Sequence, residues 1–257
     1  MVLLSDILGI SALVDGISYP HKPGSTESSI LGPFHDEKAH FIENGAAIVE
    51  DGTYGEGTLV KGQVRSVSGE PVKKALLDVW GTDGHGVYDL EYADRDGPNC
   101  RGKLYTDDDG RYAFTCVRPI PYPISNDGPV GELLRTLNRH WYRPAHMVSL
   151  LLILSRSQRL AFTVRQHFMI LHPDYNNLIT ALYSRDSKYI ESDTVFGVKS
   201  SLMVDYKWCE DEALAEKYGV KTFKKTIDGQ EREGYWLLEF DFVLTEKEVP
   251  PPPKLHD

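Results

Sequence analysis

Apolar positions along the chain follow two different periods. Residues 3–17 place leucine, isoleucine and valine at helical spacing, which predicts one amphipathic helix. Residues 18–38 have no clear period and are rich in turn-forming residues, so we expect an ordered loop there. From Thr58 onward apolar residues recur at every second position, which is typical of half-buried β-strands. The pattern therefore predicts a helical start followed by a β-rich body.

Within the β-rich body, turn signals separate short alternating segments. Residues 103–117 contain two β-rich runs on either side of an Asp-Gly pair, which predicts a β-hairpin. Helical spacing interrupts the series at 130–137 and 209–218. The other predicted strands are 59–67, 75–80 and 236–244. Short strands separated by turns favour a mainly β fold, with a β-sandwich core, a short N-terminal helix and a few peripheral helices.

Composition and charge exclude several classes of protein. The 28 Lys and Arg residues against 38 Asp and Glu give a net charge of −10, which argues against a general nucleic-acid-binding protein. The first residues lack the basic start of a secretion signal, and no run approaches the roughly 18 apolar residues of a membrane span. Three scattered cysteines suit a reducing compartment. We expect a cytoplasmic protein with neither a nucleic-acid nor a membrane partner.

Candidate chemistry is carried by tyrosines and histidines close to the predicted strands. These residues are Tyr88, Tyr122, His146 and His167. A tyrosine at a strand end is most often a core aromatic with a hydrated hydroxyl, and a histidine within a strand is most often a hydrogen-bonded core residue. The sequence contains no phosphate-binding glycine loop, no G-x-S-x-G and no C-x-x-C motif. Periodicity and spacing alone therefore leave the chemistry open.

Two specific motifs connect the chain to a known family. Residues 122–131 read Y-P-I-x-x-D-G-P-V-G, and residues 143–146 read R-P-x-H. The segments SSILGPF at 28–34, LITALY at 178–183 and SDTVFGVKSSLMV at 192–204 extend the match. With these motifs the chain resembles the intradiol ring-cleavage dioxygenases, which include the catechol and hydroxyquinol 1,2-dioxygenases.

The resemblance implies one non-haem Fe(III) per chain. Its ligands would be Tyr88, Tyr122, His146 and His167. Phenolate oxygen suits a hard ferric cation, and imidazole is an acceptable partner. Tyr122 would also take a proton from the bound diol, and Arg143 would stabilise the charge that develops on the ring. The substrate-binding residues implied by the resemblance are Leu13, Asp15, Ile30, Leu31, Gly32, Pro33, Phe34, Ile124 and Arg143.

The resemblance also divides the chain. Residues 1–20 correspond to the last part of an N-terminal helical dimerisation region, and 21–57 form a linker that contributes to the active-site wall. Residues 58–249 form the catalytic β-sandwich, and 250–257 form a Pro-rich tail. The expected partners are a small aromatic diol and O2. A homodimer is the expectation for the family, but it is less secure here because most of the N-terminal helices have no counterpart in this chain.

One segment departs from the family pattern. Family members bind iron through His-x-His in one strand, whereas here the 19 residues 148–166 separate His146-Met147 from His167. This segment contains LLLIL and no Gly, Pro, Asn or Asp, which is unusual for a surface loop. Val148-Ser149 can be encoded by a splice donor, GT-AGT, and Gln166 by a CAG acceptor. We hypothesise a translated intron in an incomplete gene model; the alternative is a genuine lineage-specific loop.

Two functions follow from these observations. The first is a ferric intradiol dioxygenase that cleaves catechol or hydroxyquinol between its two hydroxylated carbons to a cis,cis-muconate, and the ILGPF and VFGVKSSL stretches favour hydroxyquinol. The second is a catalytically impaired β-sandwich that binds small aromatics because the insertion disrupts the iron site. The colour of tyrosinate-bound ferric iron would distinguish the two.

Overall fold

The computed structural model describes residues 2–30, 32, 34–36, 38–95, 97–150 and 169–247, and these form a β-sandwich with peripheral helices. The α-helices are α1 (Val2–Ile7), α2 (Ile10–Ser18), α3 (Pro129–Thr136) and α4 (Glu212–Tyr218). The strands are β1 (Gly57–Ser66), β2 (Leu76–Trp80), β3 (Arg101–Tyr105), β4 (Arg111–Val117), β5 (Tyr122–Pro123), β6 (Tyr142–Arg143), β7 (His146–Leu150), β8 (Met169–His172), β9 (Tyr175–Leu178), β10 (Thr180–Ser184), β11 (Met203–Val204), β12 (Lys207–Cys209), β13 (Phe223–Ile227), β14 (Gln230–Glu239) and β15 (Phe242–Leu244). The mainly β fold predicted from the alternating pattern is confirmed.

Strands β1 and β2 are the central strands of the two sheets. In the six-stranded sheet, β1 pairs with β4 on one edge and with β14 and β15 on the other, while β12 and β13 pair with successive parts of β14. In the seven-stranded sheet, β2 pairs with β3 on one edge and with β7 and β8, end to end, on the other. Strands β10 and β11 extend this sheet beyond β7, and β9 extends it beyond β8.

The two faces of β2 pack against different parts of the protein. Leu77 and Val79 belong to the core between the sheets, where they are fully buried with Val64 of β1 and Phe114 of β4. Because successive side chains of a strand point to opposite faces, Trp80 lies on the other face. That residue is also fully buried, but it packs in a separate aromatic cluster. One strand therefore supports both the core and the wall of the candidate site.

Truncating the core at Leu77 is expected to destabilise the protein strongly. Leu77→Ala removes a fully buried side chain and leaves a cavity, which typically costs about 2–5 kcal/mol. Leu137→Ala provides a matched control, because Leu137 is 48% exposed at the end of α3. Urea denaturation of both variants measures the difference. Equal unfolding midpoints would contradict the placement of Leu77 in the core.

The prediction of one continuous helix over residues 3–17 is wrong. The segment forms α1 and α2, which are separated at Gly9, whose φ of 73° lies in the left-handed region that glycine adopts without strain. The helical period continues through this break, so the spacing of apolar residues did not reveal it. The break lets α1 bury Ile7 against α3 while α2 keeps an apolar face exposed.

Two strand predictions also need correction. Residues 103–117 do not form a hairpin, because β3 pairs with β2 in one sheet and β4 pairs with β1 in the other. The tight turn at Asp107–Arg111 is present, but it connects the two layers of the sandwich. The strand predicted over 236–244 is interrupted after Glu239 and resumes at Phe242 as β15.

The edge of β2 shows where the atypical segment interrupts the sheet. Asp78, Val79 and Trp80 pair with Leu150, Ser149 and Val148, whereas the next β2 residue, Leu77, pairs with Ile170. The pairing therefore omits the 19 residues from 151 to 169, the same number that separates this chain from the family pattern. Most of the predicted insertion, residues 151–166, lies outside the described residues.

Among the described residues, no helix combines the length and the apolar character that a bilayer span requires.

Candidate active site

Two strand pairings bring predicted site residues together. In the β5–β6 ladder Tyr122 lies opposite Arg143, and in the seven-stranded sheet His146 lies opposite Tyr183. Cross-strand partners have Cβ atoms about 4.5–5.5 Å apart, so each pairing places two side chains side by side. Only two residues separate Arg143 from His146 in the chain. The two pairings therefore converge on one buried site.

Tyr88 reaches this site from the loop that follows β2. The next residue, Asp89, forms a buried ion pair with Arg101 of β3 and accepts a hydrogen bond from its Nε at 2.6 Å. Arg101 also donates from Nη1 to the carbonyl oxygen of Phe34 at 3.1 Å. The Phe34 ring stacks on Tyr88 with the ring centroids 4.2 Å apart. Arg101 thus fixes a predicted ligand and a predicted wall residue together.

The two tyrosines belong to a buried aromatic cluster. Their rings meet edge to face with centroids 5.4 Å apart, and Trp80 packs in the same cluster. Burial raises the pKa of Tyr88, and the charge of Tyr122 and a hydrogen bond between the two phenols raise it further. Because desolvation disfavours the phenolate, Tyr88 needs a positive partner in order to ionise. A metal cation next to both oxygens would supply that charge.

His146 directs the lone pair of Nε2 toward Arg143 and Tyr122. Its Nδ1 lies 2.7 Å from the carbonyl oxygen of Pro144, so Nδ1 carries the proton and donates. Its Nε2 lies 3.5 Å from Tyr122 Oη and 3.1 Å from Nη1 of Arg143. Burial, followed by the charge of Arg143, lowers the pKa of His146 to about 3. The imidazole is therefore neutral near pH 7, which is the form that binds metals.

Three of the four predicted metal ligands thus lie together. Tyr122 contacts both Tyr88 and His146, so the two phenol groups and one imidazole nitrogen are close neighbours. The described part of the chain contains no group of three or more His, Cys, Asp or Glu side chains that could hold a metal. Oxygen-rich donor sets with imidazole suit a hard cation such as ferric iron, so the residues present fit it. His167 lies outside the described residues and stays a prediction.

The predicted substrate-binding residues fall into two groups. Phe34 lies on Tyr88, whereas Ile30 and Ile124 share a separate buried apolar cluster; both are apolar surfaces of the kind that lines an aromatic pocket. Gly32, which lies between Ile30 and Phe34 in the chain, is also buried. Leu31 and Pro33 lie outside the described residues.

Two further substrate-binding predictions concern helix α2. Leu13 is 64% exposed on its solvent side. Asp15 accepts hydrogen bonds from Ser28 at 2.8 Å and from Lys199 Nζ at 3.2 Å, which ties α2 to the segment that leads into the pocket wall. These contacts give Asp15 a structural task; a substrate contact for either residue stays a prediction.

The sequence interpretation missed the residues that surround Arg143. Asp193 is buried and binds this guanidinium in an ion pair of 3.1 Å, and Tyr183 lies 3.3 Å from Nη2. Burial raises the pKa of the Asp193 carboxyl, but the charge and hydrogen bonds of Arg143, the charge of His146 and the Gly197 N–H together outweigh it, so the pKa is lowered overall. Both residues lie in segments that carry the family resemblance, so an unexplained acid within SDTVFGV was the available signal.

Comparisons with known proteins agree with this geometry. The family described as "Dioxygenase" matches residues 30–245. The chain is 44% identical over 247 residues to the intradiol ring-cleavage dioxygenase hqdA of Aspergillus niger, covering 96% of this chain and 65% of that protein. It is 38% identical over 244 residues to a hydroxyquinol 1,2-dioxygenase of Rhizobium sp., covering 95% of this chain and 72% of that protein.

A solved structure shows the same fold. The hydroxyquinol 1,2-dioxygenase of Pseudomonas putida DLL-E4 superimposes with a TM-score of 0.77 at 35% sequence identity, covering 96% of this chain and 75% of that one. The matched region contains both motifs and all three converging ligand candidates. The chain belongs to the intradiol ring-cleavage dioxygenases.

Proposed function

We propose that this protein cleaves a 1,2-dihydroxylated aromatic ring between its two hydroxylated carbons with O2, using one non-haem ferric iron. The observation that carries the proposal is the convergence of Tyr88, Tyr122 and His146, with the Arg143 cation beside them. Iron held there would accept charge from the bound diol and so make the ring reactive toward O2. His167 is the proposed fourth ligand.

The residues of the chain have distinct roles in this reaction. Tyr122 would hold iron as a phenolate, and its Oη, 3.5 Å from Nε2 of His146, would then take a proton from a substrate hydroxyl. Nη1 of Arg143 lies 3.4 Å from Tyr122 Oη, where a fixed positive charge stabilises the negative charge that develops on the ring. The buried ring of Trp80 and the half-buried ring of Phe34 shield the reacting face from water.

Hydroxyquinol is the proposed substrate class, and catechol is the second choice. Relatives from Aspergillus, Rhizobium and Pseudomonas are named as intradiol or hydroxyquinol 1,2-dioxygenases, at 35–44% identity. Catechol 1,2-dioxygenases also match, with 35% identity for the Candida albicans protein. Both substrates carry the adjacent hydroxyl pair that can chelate a metal. They differ in the third hydroxyl of hydroxyquinol, so contacts with that group would determine which substrate is preferred.

The test is purification of the protein with ferrous iron added and oxidised, followed by O2 uptake with hydroxyquinol and with catechol. We expect a coloured protein, faster uptake with hydroxyquinol, and a cis,cis-muconate-type product. Resorcinol is the matched control, because its 1,3-hydroxyl groups cannot chelate one metal. A colourless protein that still binds hydroxyquinol would support a non-catalytic aromatic-binding function and contradict the proposal.

A further inference from the structure

A closed circuit of buried hydrogen bonds surrounds one side of the Arg143 guanidinium. Nε and Nη2 donate to Oδ1 and Oδ2 of Asp193, each at 3.1 Å, and Nη2 also lies 3.3 Å from Tyr183 Oη. Tyr183 Oη lies 2.9 Å from Ser29 Oγ, which donates to the carbonyl oxygen of Gly197 at 2.8 Å. The N–H of Gly197 donates to Oδ2 of Asp193 at 2.9 Å, which closes the circuit.

The donors in this circuit can all be assigned. Because Ser29 gives its proton to a carbonyl oxygen, the Tyr183 hydroxyl must donate to Ser29 Oγ. The Tyr183 oxygen is then free to accept from Nη2 of Arg143. Each group therefore has a partner, and a fully satisfied buried network of this kind is rigid.

The hydrogen-bonded side chains of the circuit lie so close to position 197 that only glycine fits there. A Cβ at this position would lie 2.7 Å from Tyr183 Oη and 2.9 Å from Nη2 of Arg143. Both distances are shorter than a carbon atom tolerates, so any side chain at Gly197 would displace the guanidinium or the tyrosine.

The circuit determines which edge of Arg143 faces the active site. A guanidinium is planar, and a carboxylate that binds its Nε and Nη2 edge fixes the whole plane. Nη1 is left to face Tyr122 Oη at 3.4 Å and Nε2 of His146 at 3.1 Å. An Arg143 free to rotate would place its charge at this point only part of the time.

We propose that Asp193, supported by the Tyr183 hydroxyl, is a positioning residue for ring cleavage, because it holds Nη1 of Arg143 against the reacting groups. The inference rests on the proposed function and adds to it a residue that need not contact the substrate. The acid acts entirely through the arginine, and this distinguishes it from a residue that merely stabilises the fold.

The main test compares Asp193→Asn with Asp186→Asn in the full chain. Asp186 is the control, because it also pairs with an arginine, Arg118 at 2.6 Å, but at an exposed position and without contact to the iron-ligand candidates that the structure describes. For Asp193→Asn we expect kcat to fall about 10–100-fold, with KM within about threefold of wild type and the iron colour retained. Asp186→Asn should keep wild-type kcat. Equal kinetics for the two variants would overturn the proposal.

A second comparison separates positioning from a structural role. In an Arg143→Ala background the positioning role has nothing to act on, so adding Asp193→Asn should cause no further loss of kcat. A purely structural role predicts the same fold-loss in both backgrounds, and that result would overturn the proposal.

Two further measurements separate this proposal from the proposed function. Absence of turnover in the wild type would count against the proposed function alone. In that case, crystal structures of wild type and Asp193→Asn test the positioning role, and we expect Nη1 of Arg143 to move away from Tyr122 Oη in the variant. An unmoved Nη1 would overturn the positioning role. If Asp193→Asn does not fold, Tyr183→Phe removes one contact and keeps every charge, and we expect kcat to fall severalfold. Wild-type kcat in Tyr183→Phe would then reject the circuit.

Discussion

Deleting residues 148–166 is expected to raise the iron affinity of the protein about 100-fold or more and to increase its turnover. Changes in groups that only orient a metal ligand already alter affinity about 10–100-fold, so gaining a direct ligand should have at least this effect. The deletion joins Met147 to His167 and so restores a His-x-His sequence.

The pairing of β2 gives this prediction its physical basis. Trp80, Val79 and Asp78 now pair with residues 148–150, and Leu77 pairs with Ile170. Removing 19 residues lets His167 take the position opposite Trp80 while Ile170 keeps its partner. A residue two positions after His146 in one strand shares its face, which is the face of the candidate iron site. No other strand has to shift.

The measurement compares the full and shortened chains for soluble yield, bound iron and ring-cleavage product. The control is His167→Ala in both forms: it should abolish the gain in the shortened chain and have a smaller effect in the full chain, where residues 148–166 separate His167 from His146. Equal iron binding and activity in the full and shortened forms would contradict the prediction. A transcript that retains the segment as the only species would contradict the intron hypothesis independently of the protein measurements.

Local pattern predicted the types of most elements but not how they pair. The alternation in residues 103–117 and the turn at Asp107–Arg111 are both present, yet the two strands belong to different sheets. An Asp-Gly turn reverses the chain in a hairpin and in a connection between layers alike, so the local sequence does not distinguish them. Which layer accepts a strand depends on residues far away in the chain, such as Leu77 and Val60 here.

The candidate site was predicted in a different way. The tyrosines and histidines have no period that points to a metal, and only the resemblance selected Tyr88, Tyr122 and His146, which the fold brings together. Asp193 and Tyr183 were missed because they act through Arg143, across 40 or more residues of sequence. A buried ion pair of this kind follows from tertiary packing, which a single sequence does not display.

Substituting Arg143 by alanine is the second change with a large expected effect. We expect kcat to fall about 10²–10³-fold, as is typical when a fixed group that stabilises transition-state charge is removed. The iron colour should persist, because Tyr88, Tyr122 and His146 remain in place. Stability should fall by about 3–5 kcal/mol as well, since Asp193 keeps its charge in a buried position without a partner.

The two effects of Arg143→Ala can be separated with a second arginine and a double substitution. Arg118→Ala is the matched control, because Arg118 also pairs with a carboxylate but lies over the rings of Tyr206 and Trp236. It should lower stability while kcat stays near the wild-type value. The double variant Arg143→Ala/Asp193→Ala removes the uncompensated charge, so its unfolding midpoint should recover relative to Arg143→Ala while kcat stays low. Recovery of kcat together with stability would show that Arg143 supports the fold and not the reaction.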